Sequence, residues 1–363
     1  MKIFRKTLRI IIKTAKRLLF IAIAVAIVYA AYVLISFGRE GTGSLDITAP
    51  EGAPEEIGAL PVGSKMSAIT YNIGFGAYNE DFSFFMDGGE KARADSEKAV
   101  YENLAGITGY LSYRNKADIT LLQEVDEKGT RSYEVNEAET ILKTQKDKCS
   151  TFAVNYDSPY LFYPFKEPIG KNKSGLLTLT SFPIQSAERI QLPVEDFPRN
   201  LLDLDRCYSK QYTPTAKGNS LVVYNVHLSA YSEDGEITDI QLRELFSDMQ
   251  YEYDSGNYVL VGGDFNRDLL EDSSEVFGKD GEDATWAQSF PTDSLSVNFS
   301  LCAASNAPSC RDTKEAYDPE ETFVLTIDGF IVSDNIEVIS CMTENLHFAY
   351  SDHNPVRLEF KLK

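Results

Sequence analysis

Short apolar runs alternate with amphipathic stretches from residue 66 to the end of the chain. Runs of four to eight largely apolar residues between polar or turn-forming residues indicate β-strands. The predicted strands are residues 66–73, 118–125, 175–180, 220–228, 257–265, 322–332 and 356–362. Apolar residues at helical spacing predict one amphipathic helix over residues 96–113 and another around residues 242–249, with 134–146 as a third candidate.

These helices separate many but not all of the predicted strands, which favours mixed sheets. Strands and helices that alternate in this way build layered domains around a shared core. We therefore expect residues 66–363 to form one domain, with a two-layer sheet core flanked by helices.

The amino-terminal region has a different pattern. Residues 18–37 are twenty uncharged residues, enough to cross a bilayer as a helix. Residues 1–17 carry seven Lys or Arg and no acid, so the positive-inside rule predicts a cytoplasmic amino terminus and an extracytoplasmic domain. A cleaved signal peptide is the competing interpretation, but its apolar region is normally shorter and a small-x-small cleavage site follows it. We expect a single-pass anchor in the cell membrane.

Residues 38–65 are rich in Gly, Pro, Ser and acids and have no periodicity, which predicts a flexible linker. Five cysteines are compatible with export but too few for a disulfide scaffold. Cys302 and Cys310 lie in one short loop and are plausible disulfide partners, whereas the other three are expected to be buried or free thiols. No CxxC spacing indicates a zinc site.

Charge is distributed unevenly along the chain. The net charge is −20, but the part after residue 17 has 28 basic residues (35 less 7) against 55 acidic ones, or −27. Polyanion binding relies on clustered Lys and Arg, so this acidity counts against general nucleic-acid binding. Arg206 and either Lys171 or Lys173 are candidates for phosphate contact, although solvated surface charge explains each of them more simply.

Polar side chains follow several of the predicted strands, at the positions where open α/β sheets bind ligands. The strand-end residues are Asn72, Glu124, His227, Asp264 and Asn266, with Asp352 and His353 just before the last strand and Asp328 inside the apolar stretch VLTIDGFIV. Taken singly, Asn72 fits a turn and His227 a core histidine. Asp328 differs, because an unpaired buried carboxylate costs several kcal/mol, so it needs a partner such as a histidine.

Phosphoester hydrolysis is the chemistry that uses this whole set. Oxygen ligands such as Glu124 and Asn72 suit Mg²⁺, which binds proteins through one or two carboxylates. A carboxylate–histidine pair provides an oriented base, and a second histidine can stabilise charge on the phosphate. A P-loop is excluded because Gly74–Gly76 lacks the Lys-Ser/Thr ending, and no GxSxG elbow supports a serine hydrolase.

The same residues carry a family resemblance. The ordered motifs NIG at Asn72, LQEV around Glu124, NVHL around His227, GDFN at 263–266 and SDHNPV at 351–356 resemble those of the endonuclease/exonuclease/phosphatase superfamily, which is deoxyribonuclease I-like. The resemblance implies a four-layer α/β sandwich and divalent-metal-dependent phosphoester cleavage. FFMDGG at 84–89 is similar to a bacterial, membrane-anchored subgroup.

The resemblance also implies a role for each residue in a metal site. Glu124 resembles the principal metal ligand, with Asn72 beside it, and Asp352 supports the metal or the nucleophile. The expected cofactor is Mg²⁺, with Mn²⁺ as an alternative.

The implied catalytic residues are His353, His227, Asp264, Asn266 and Asp328. His353 resembles the catalytic base paired with Asp328, while Asp264 and Asn266 resemble the residues that position or activate the water and the phosphate. His227 resembles the second histidine of the deoxyribonuclease and sphingomyelinase branches, which argues against the abasic-site endonucleases.

The sequence thus predicts a membrane-anchored, monomeric phosphoester hydrolase that acts as a phosphodiesterase, phosphatase or nuclease. Its substrate class, whether nucleic acid, lipid headgroup or small phosphoester, stays open. The alternative is a surface-displayed binding protein on the same fold that has lost catalysis.

Overall fold

The predicted alternation of strands and helices is present in the computed structural model, which describes residues 2–36, 40–50, 52, 58–114, 116–196, 200, 205–230, 235–279 and 287–363. Its strands are β1 Gly43–Ser44, β2 Ile47–Thr48, β3 Lys65–Asn72, β4 Ile119–Gly129, β5 Cys149–Asp157, β6 Asn172–Thr180, β7 Ser186–Gln191, β8 Cys207–Pro214, β9 Ser220–His227, β10 Tyr258–Asp264, β11 Phe299–Cys302, β12 Cys310–Arg311, β13 Val324–Leu325, β14 Asp328–Ser333, β15 Ile336–Thr343 and β16 Val356–Leu362. The helices are α1 Lys2–Ser36, α2 Glu97–Gly109, α3 Glu137–Leu142, α4 Glu236–Asp254 and α5 Ser273–Phe277.

These strands form two seven-stranded mixed sheets and one small two-stranded sheet. The first large sheet has the order β1-β7-β8-β9-β10-β14-β11, and the second has the order β15-β16-β3-β4-β6-β5-β2. Parallel pairing joins β9 to β10 and β3 to β4 at the centre of each sheet, and the other pairs within the two sheets are antiparallel. The prediction of mixed sheets is confirmed.

The core consists of three apolar layers. Strand residues from both sheets, such as Leu121, Leu260 and Phe360, meet between the sheets. The outer face of the second sheet packs against α2 and α3, and the outer face of the first sheet packs against α4. Because alternate strand residues point to opposite faces, each central strand supplies both an inner and an outer layer. The four-layer α/β sandwich expected from the sequence is confirmed.

Two helices bury the apolar faces that their sequences predict. The Ser96 side chain accepts a hydrogen bond from the Ala99 backbone N–H and caps α2, whose buried face includes Val100, Leu104 and Ile107. In α4, Leu242, Leu245 and Met249 are buried, which matches the apolar stripe read from the sequence.

Helix α1 is long and apolar enough to cross a membrane, and its apolar part is almost entirely exposed. A signal sequence has the same length and composition.

The segment predicted as a flexible linker differs from that expectation. β1 pairs with β7 and β2 pairs with β5, so residues 43–48 add an edge strand to each of the two large sheets. Leu60 is 1% exposed within the inter-sheet core. Residues 51 and 53–57 lie outside the described residues. The sequence did not predict these two strands, because the segment is polar and a two-residue edge strand needs no apolar alternation.

The expected pairing of Cys302 with Cys310 is wrong in this structure, where all five cysteines are free. Cys310 instead lies beside His353, with its Sγ 3.7 Å from Nε2. Cys302 packs near Cys341, whose thiol donates to the Cys302 carbonyl at 3.3 Å. The two cysteines are close in the sequence, but their side chains lie in different parts of the fold.

Candidate active site

Three site residues are placed side by side by strand pairing in the first sheet. His227 ends β9, Asp264 ends β10, and Asp328 begins β14. Asp264 is in register with His227 on one side and with Asp328 on the other. In the second sheet, Asn72 ends β3 opposite Gln123 of β4, the residue before Glu124. The corresponding ends of the two sheets therefore meet at one place.

Backbone geometry around Gly263 presents Asp264 to the site. Gly263 has φ +155°, and a Cβ at this position would lie 2.0 Å from the Val226 carbonyl oxygen. Only glycine allows β9 and β10 to approach so closely. Asn266 follows with φ +49°, and its backbone N–H donates to Asp264 Oδ1 at 2.9 Å.

Glu124 lies at an irregularity of β4. The pairing of β4 with β6 shifts register between Leu122 and Val125, and Glu124 has φ +54°. A non-glycine residue in this left-handed region costs about 1–3 kcal/mol, a strain that often marks functional positions. The irregularity allows the Glu124 carboxylate to reach Asn72, whose Nδ2 donates to Glu124 Oε1 at 3.2 Å and to Asp264 Oδ2 at 3.0 Å. Asn72 thus joins the two sheets at the site.

His353 and Asp328 form the carboxylate–histidine pair expected from the sequence. His353 Nδ1 lies 2.7 Å from Asp328 Oδ2, and Ser309 donates to the same oxygen at 2.7 Å. Since a carboxylate only accepts, Nδ1 carries the proton and Nε2 faces the site. Burial opposes the charge on His353, but the carboxylate of Asp328 outweighs it and raises the pKa of His353 well above its usual value.

Asp264 Oδ2 is the centre of the cluster. His227 Nε2 lies 3.7 Å from it and His353 Nε2 lies 3.8 Å from it, distances too long for a hydrogen bond but suited to a bridging oxygen atom. Burial and then the nearby charge of Asp328 raise the pKa of Asp264 to about 7. A carboxylate with this pKa exchanges protons near neutral pH.

His227 is buried and has no carboxylate in hydrogen-bond contact. Burial, followed by the charges of Arg206, His353 and Arg131, lowers the pKa of His227 well below its ordinary value. Its Nδ1 has no hydrogen-bond partner among the described residues. The side chain is therefore a neutral imidazole with one nitrogen directed at Asp264, unlike a core histidine with both nitrogens satisfied.

The residues proposed to hold a metal provide oxygen donors that fit a divalent cation. Burial raises the pKa of Asp352 to about 6, and the charge of Glu124 contributes to this rise. The carboxylates of Glu124 and Asp352, which repel each other, suit a hard cation such as Mg²⁺. The Asn72 amide beside them directs Nδ2 at Glu124, and its Oδ1 accepts from the Gly74 N–H at 3.0 Å. Asp264, Asp328 and His353 also lie close enough to share an ion, and Asp328 Oδ1 has no hydrogen-bond partner among the described residues.

A cavity of about 370 Å³ opens over this cluster. Six of the eight predicted residues line it, namely Glu124, His227, Asp264, Asn266, Asp352 and His353. Asn72 and Asp328 lie behind them in direct contact with Asp264 and His353. The structure therefore brings all eight together.

Four basic side chains also line the cavity, and the sequence indicated only one of them. Arg206, a candidate for phosphate contact in the sequence, lines it together with Arg131, Arg311 and Lys314. Lys171 and Lys173 are not in its wall, and Lys173 pairs with Glu127 at 2.7 Å.

Arg131 is buried, bonds Asp126 at 2.8 Å and lies 3.8 Å from the centre of the Phe75 ring. Arg311 is 1% exposed and donates to the carbonyls of Asn79 and Phe82. Arg131 lies in a turn after β4 and Arg311 in the two-residue strand β12, and the sequence around each indicates only polarity.

Buried amides hold the sheets together beneath the site. Gln123 Nε2 donates to Asn225 Oδ1 at 2.7 Å across the interface between the sheets. Asn225 Nδ2 in turn donates to the Leu122 and Leu177 carbonyls. Gln123 belongs to the motif LQEV and Asn225 to the motif NVHL. These motifs therefore contain residues that join the two sheets as well as residues of the site.

Comparisons with known proteins match this description. The model of the Endonuclease/Exonuclease/phosphatase family matches residues 69–353. The comparison with curated proteins gave no match. The fold is similar to that of an endonuclease/exonuclease/phosphatase from Beutenbergia cavernae, with a TM-score of 0.57, 14% identity and coverage of 82% of this chain and 72% of that one.

Two further solved structures share the fold. ANGEL2, a 2',3'-cyclic phosphatase in complex with adenosine-2',3'-vanadate, gives a TM-score of 0.53 at 15% identity over 82% of this chain and 96% of that one. TDP2 from D. rerio, complexed with a single-strand DNA product, gives 0.52 at 14% identity over 82% and 99%. With a family model that covers most of its length and includes the site residues up to His353, this chain belongs to the endonuclease/exonuclease/phosphatase family.

Proposed function

We propose that the protein is a membrane-anchored, divalent-metal-dependent phosphoester hydrolase. One observation carries the proposal. Asp264 Oδ2 is surrounded by Asn72 Nδ2 at 3.0 Å, His227 Nε2 at 3.7 Å and His353 Nε2 at 3.8 Å, at the base of a cavity lined by basic side chains. The cavity of about 370 Å³ above these atoms has room for a phosphoryl group and a water molecule, within reach of groups that are able to exchange protons with them.

The metal would be Mg²⁺, or Mn²⁺ as a substitute, held by Glu124, Asp352 and Asn72. When bound, it would neutralise charge on the phosphoryl oxygens and favour attack by water. Arg131, Arg206 and Arg311 place positive charge around the cavity, whose wall also carries the carboxylates of Asp87, Glu124, Asp264, Asp312 and Asp352. The bound cation would therefore supply part of the attraction for phosphate.

We propose different catalytic roles for Asp264 and His353. From the sequence, His353 was the expected base. Its pKa is raised, so it holds its proton at neutral pH, while Asp264 has a pKa of about 7 and is able to take one. We therefore assign proton removal from the attacking water to Asp264. The imidazolium of His353, balanced by Asp328, stabilises charge that develops on the phosphate. Asn266 and the neutral His227 orient the substrate oxygens.

The anchor is proposed from α1 and from the sequence around it. The apolar residues 18–37 and the basic cluster in residues 1–17 of the sequence support a single span, with the amino terminus in the cytoplasm and the catalytic domain outside.

The test is metal-dependent turnover. Full-length protein in detergent should hydrolyse bis(p-nitrophenyl) phosphate with Mg²⁺, lose activity in EDTA and regain it with Mg²⁺ or Mn²⁺. His353→Ala should keep the wild-type circular dichroism spectrum and lose at least 100-fold in kcat. A folded His353→Ala variant with full activity would refute the assigned site. Metal-dependent turnover of any phosphoester would eliminate the alternative of a non-catalytic binding protein.

A further inference from the structure

An exposed aromatic loop, residues 160–165, lies between β5 and β6. Phe162, Tyr163 and Phe165 are 52%, 63% and 85% exposed, and all three lie within four consecutive residues. Contiguous exposed aromatic surface of this kind marks a contact with another molecule or with a membrane. Lys166 and Lys171 flank the loop and are exposed as well.

This aromatic loop contacts the apolar helix α1. The Tyr29 hydroxyl donates to the Tyr160 carbonyl at 3.0 Å, the Tyr160 N–H donates to the Tyr32 hydroxyl at 3.0 Å, and the Tyr29 and Phe162 rings meet edge to face at 5.2 Å. Tyr32 and Tyr29 lie four and seven residues before the helix ends at Ser36, about 6 and 10 Å along its axis at 1.5 Å per residue. Tyrosines at this depth are typical of the membrane interface, so the loop lies level with the outer part of the bilayer.

The chain after α1 holds the domain close to this level. Only three residues separate Ser36 from Glu40, whose carbonyl accepts a hydrogen bond from Arg189 at 2.6 Å. At the length of an extended chain, this connection spans about 14 Å. A domain tethered so shortly lies on the bilayer surface, unlike one on the long free linker that composition predicted.

A continuous set of ring contacts leads from the aromatic loop to the catalytic cavity. Tyr163 meets Phe85 at 5.7 Å, Phe85 meets Phe84 at 4.9 Å, and Phe84 meets Tyr78 at 5.5 Å. Phe84 and Tyr78 line the cavity. A line of apolar rings, buried at Phe84 and Tyr78, thus connects the membrane-level loop with the wall of the cavity.

From these contacts we infer that the aromatic loop inserts into the outer leaflet and that the substrate is a phospholipid of the same bilayer. The cavity receives the headgroup phosphate beside its arginine side chains, and the rings of Tyr78 and Phe84 in its wall contact the apolar part of the lipid as it rises from the leaflet. Exposed Lys166 and Lys171 are placed to contact anionic headgroups. This inference rests on the proposed hydrolase function and names its substrate class.

The experiment uses the full-length protein in proteoliposomes. Hydrolysis is measured on vesicle phospholipids (phosphatidylcholine, phosphatidylethanolamine and phosphatidylglycerol) and, in parallel, on soluble bis(p-nitrophenyl) phosphate and plasmid DNA. The variant Phe162→Ser/Phe165→Ser should lose at least tenfold in lipid hydrolysis and keep its rate on the soluble diester, because it changes docking and not the site. Tyr251→Ser, which removes a 69% exposed aromatic side chain on α4, is the matched control and should change neither rate.

Insertion is measured separately from turnover. Phe165→Trp, made in a chain whose single tryptophan is replaced by Trp286→Phe, should show emission quenched by brominated phospholipids, whereas Tyr251→Trp in the same background should not. Unquenched emission overturns the inference. Turnover of the soluble substrates without turnover of vesicle lipid also overturns it and leaves the hydrolase function standing. Turnover of no substrate refutes the hydrolase function and the lipid substrate together, and quenching then decides the docking alone.

Discussion

Replacing Asp264 with asparagine should stabilise the metal-free protein at neutral and alkaline pH while abolishing its activity. Asp264 is 1% exposed, and burial together with the charge of Asp328 raises its pKa from 3.8 to about 7. The folded protein is therefore destabilised when this carboxylate is ionised, and Asp264→Asn removes that destabilisation. The site keeps this residue because an acid that titrates near neutrality is suited to accept a proton from water.

The sign of the effect follows from proton binding. Between about pH 4 and pH 7 the folded protein binds a proton at Asp264 that the unfolded chain releases, so the free energy of unfolding falls as the pH rises through this range. At about 1.4 kcal/mol per pKa unit, the full loss is about 4 kcal/mol, of which about 2.5 kcal/mol falls between pH 5 and pH 8. The lost hydrogen bond from Asn72 to the replaced oxygen offsets about 1 kcal/mol of the gain at every pH.

Urea unfolding of the full-length protein in detergent with EDTA, followed by circular dichroism at pH 5 and pH 8, measures this difference. From pH 5 to pH 8 the wild type should lose about 2.5 kcal/mol more than Asp264→Asn. Asp254→Asn, at an exposed carboxylate on α4, should follow the wild type. If Asp264→Asn and the wild type changed in parallel with pH, the assignment of a proton to Asp264 would be wrong.

Three further predictions concern single positions. Asp328→Asn should lower kcat about 10³- to 10⁴-fold in steady-state assays with little change in KM, because His353 loses the carboxylate that orients it. Glu124→Gln should raise the Mg²⁺ concentration that gives half-maximal activity roughly 10- to 100-fold in a metal titration, since it removes one charged oxygen ligand. Gly263→Ala should cost more than about 3 kcal/mol in urea unfolding, because its Cβ would meet the Val226 carbonyl at a backbone conformation that favours glycine.

How much of the fold was predictable depended on the polarity of the interface between the sheets. β9, β10 and β16 were predicted to within one residue because their inward side chains are apolar. β8 was not predicted, because its inward residues Ser209 and Gln211 are buried but polar. Gln211 donates to Thr151 at 3.0 Å across the interface. Hydrophobic periodicity does not detect a strand whose buried face is satisfied by hydrogen bonds.

The site also contains residues that the sequence predicted and residues that it did not. Asp264 was predictable because it ends a strand, and both its strand position and its side-chain chemistry appear in the sequence. Glu124 was predicted as a strand-end residue, but β4 continues to Gly129 and Glu124 lies at an irregularity within it. Ser309, Arg131 and Arg311 were not predicted, because loops or a two-residue strand bring them to the site through contacts that no local pattern encodes. Ser309 is within hydrogen-bond distance of Asp328 although it is 19 residues away, and Arg131 reaches the cavity from a turn after β4. Arg311 lies in the two-residue strand β12, and its guanidinium is buried against backbone carbonyls.

The sandwich also explains how the site tolerates its own strain. Glu124 and Asn266 adopt left-handed backbone conformations, at about 1–3 kcal/mol each, and Asp264 and Asp328 place two carboxylates on neighbouring strands. All of these costs lie at one end of the strands, whereas the apolar layer of Leu121, Leu260 and Phe360 runs between the sheets beneath them. Since each strand that carries a strained residue is also part of that layer, the core fixes the geometry that the site would not keep by itself. A substitution that relaxes the site, such as Asp264→Asn, therefore gains stability, whereas one that loosens the packing of the strands, such as Gly263→Ala, loses both stability and geometry.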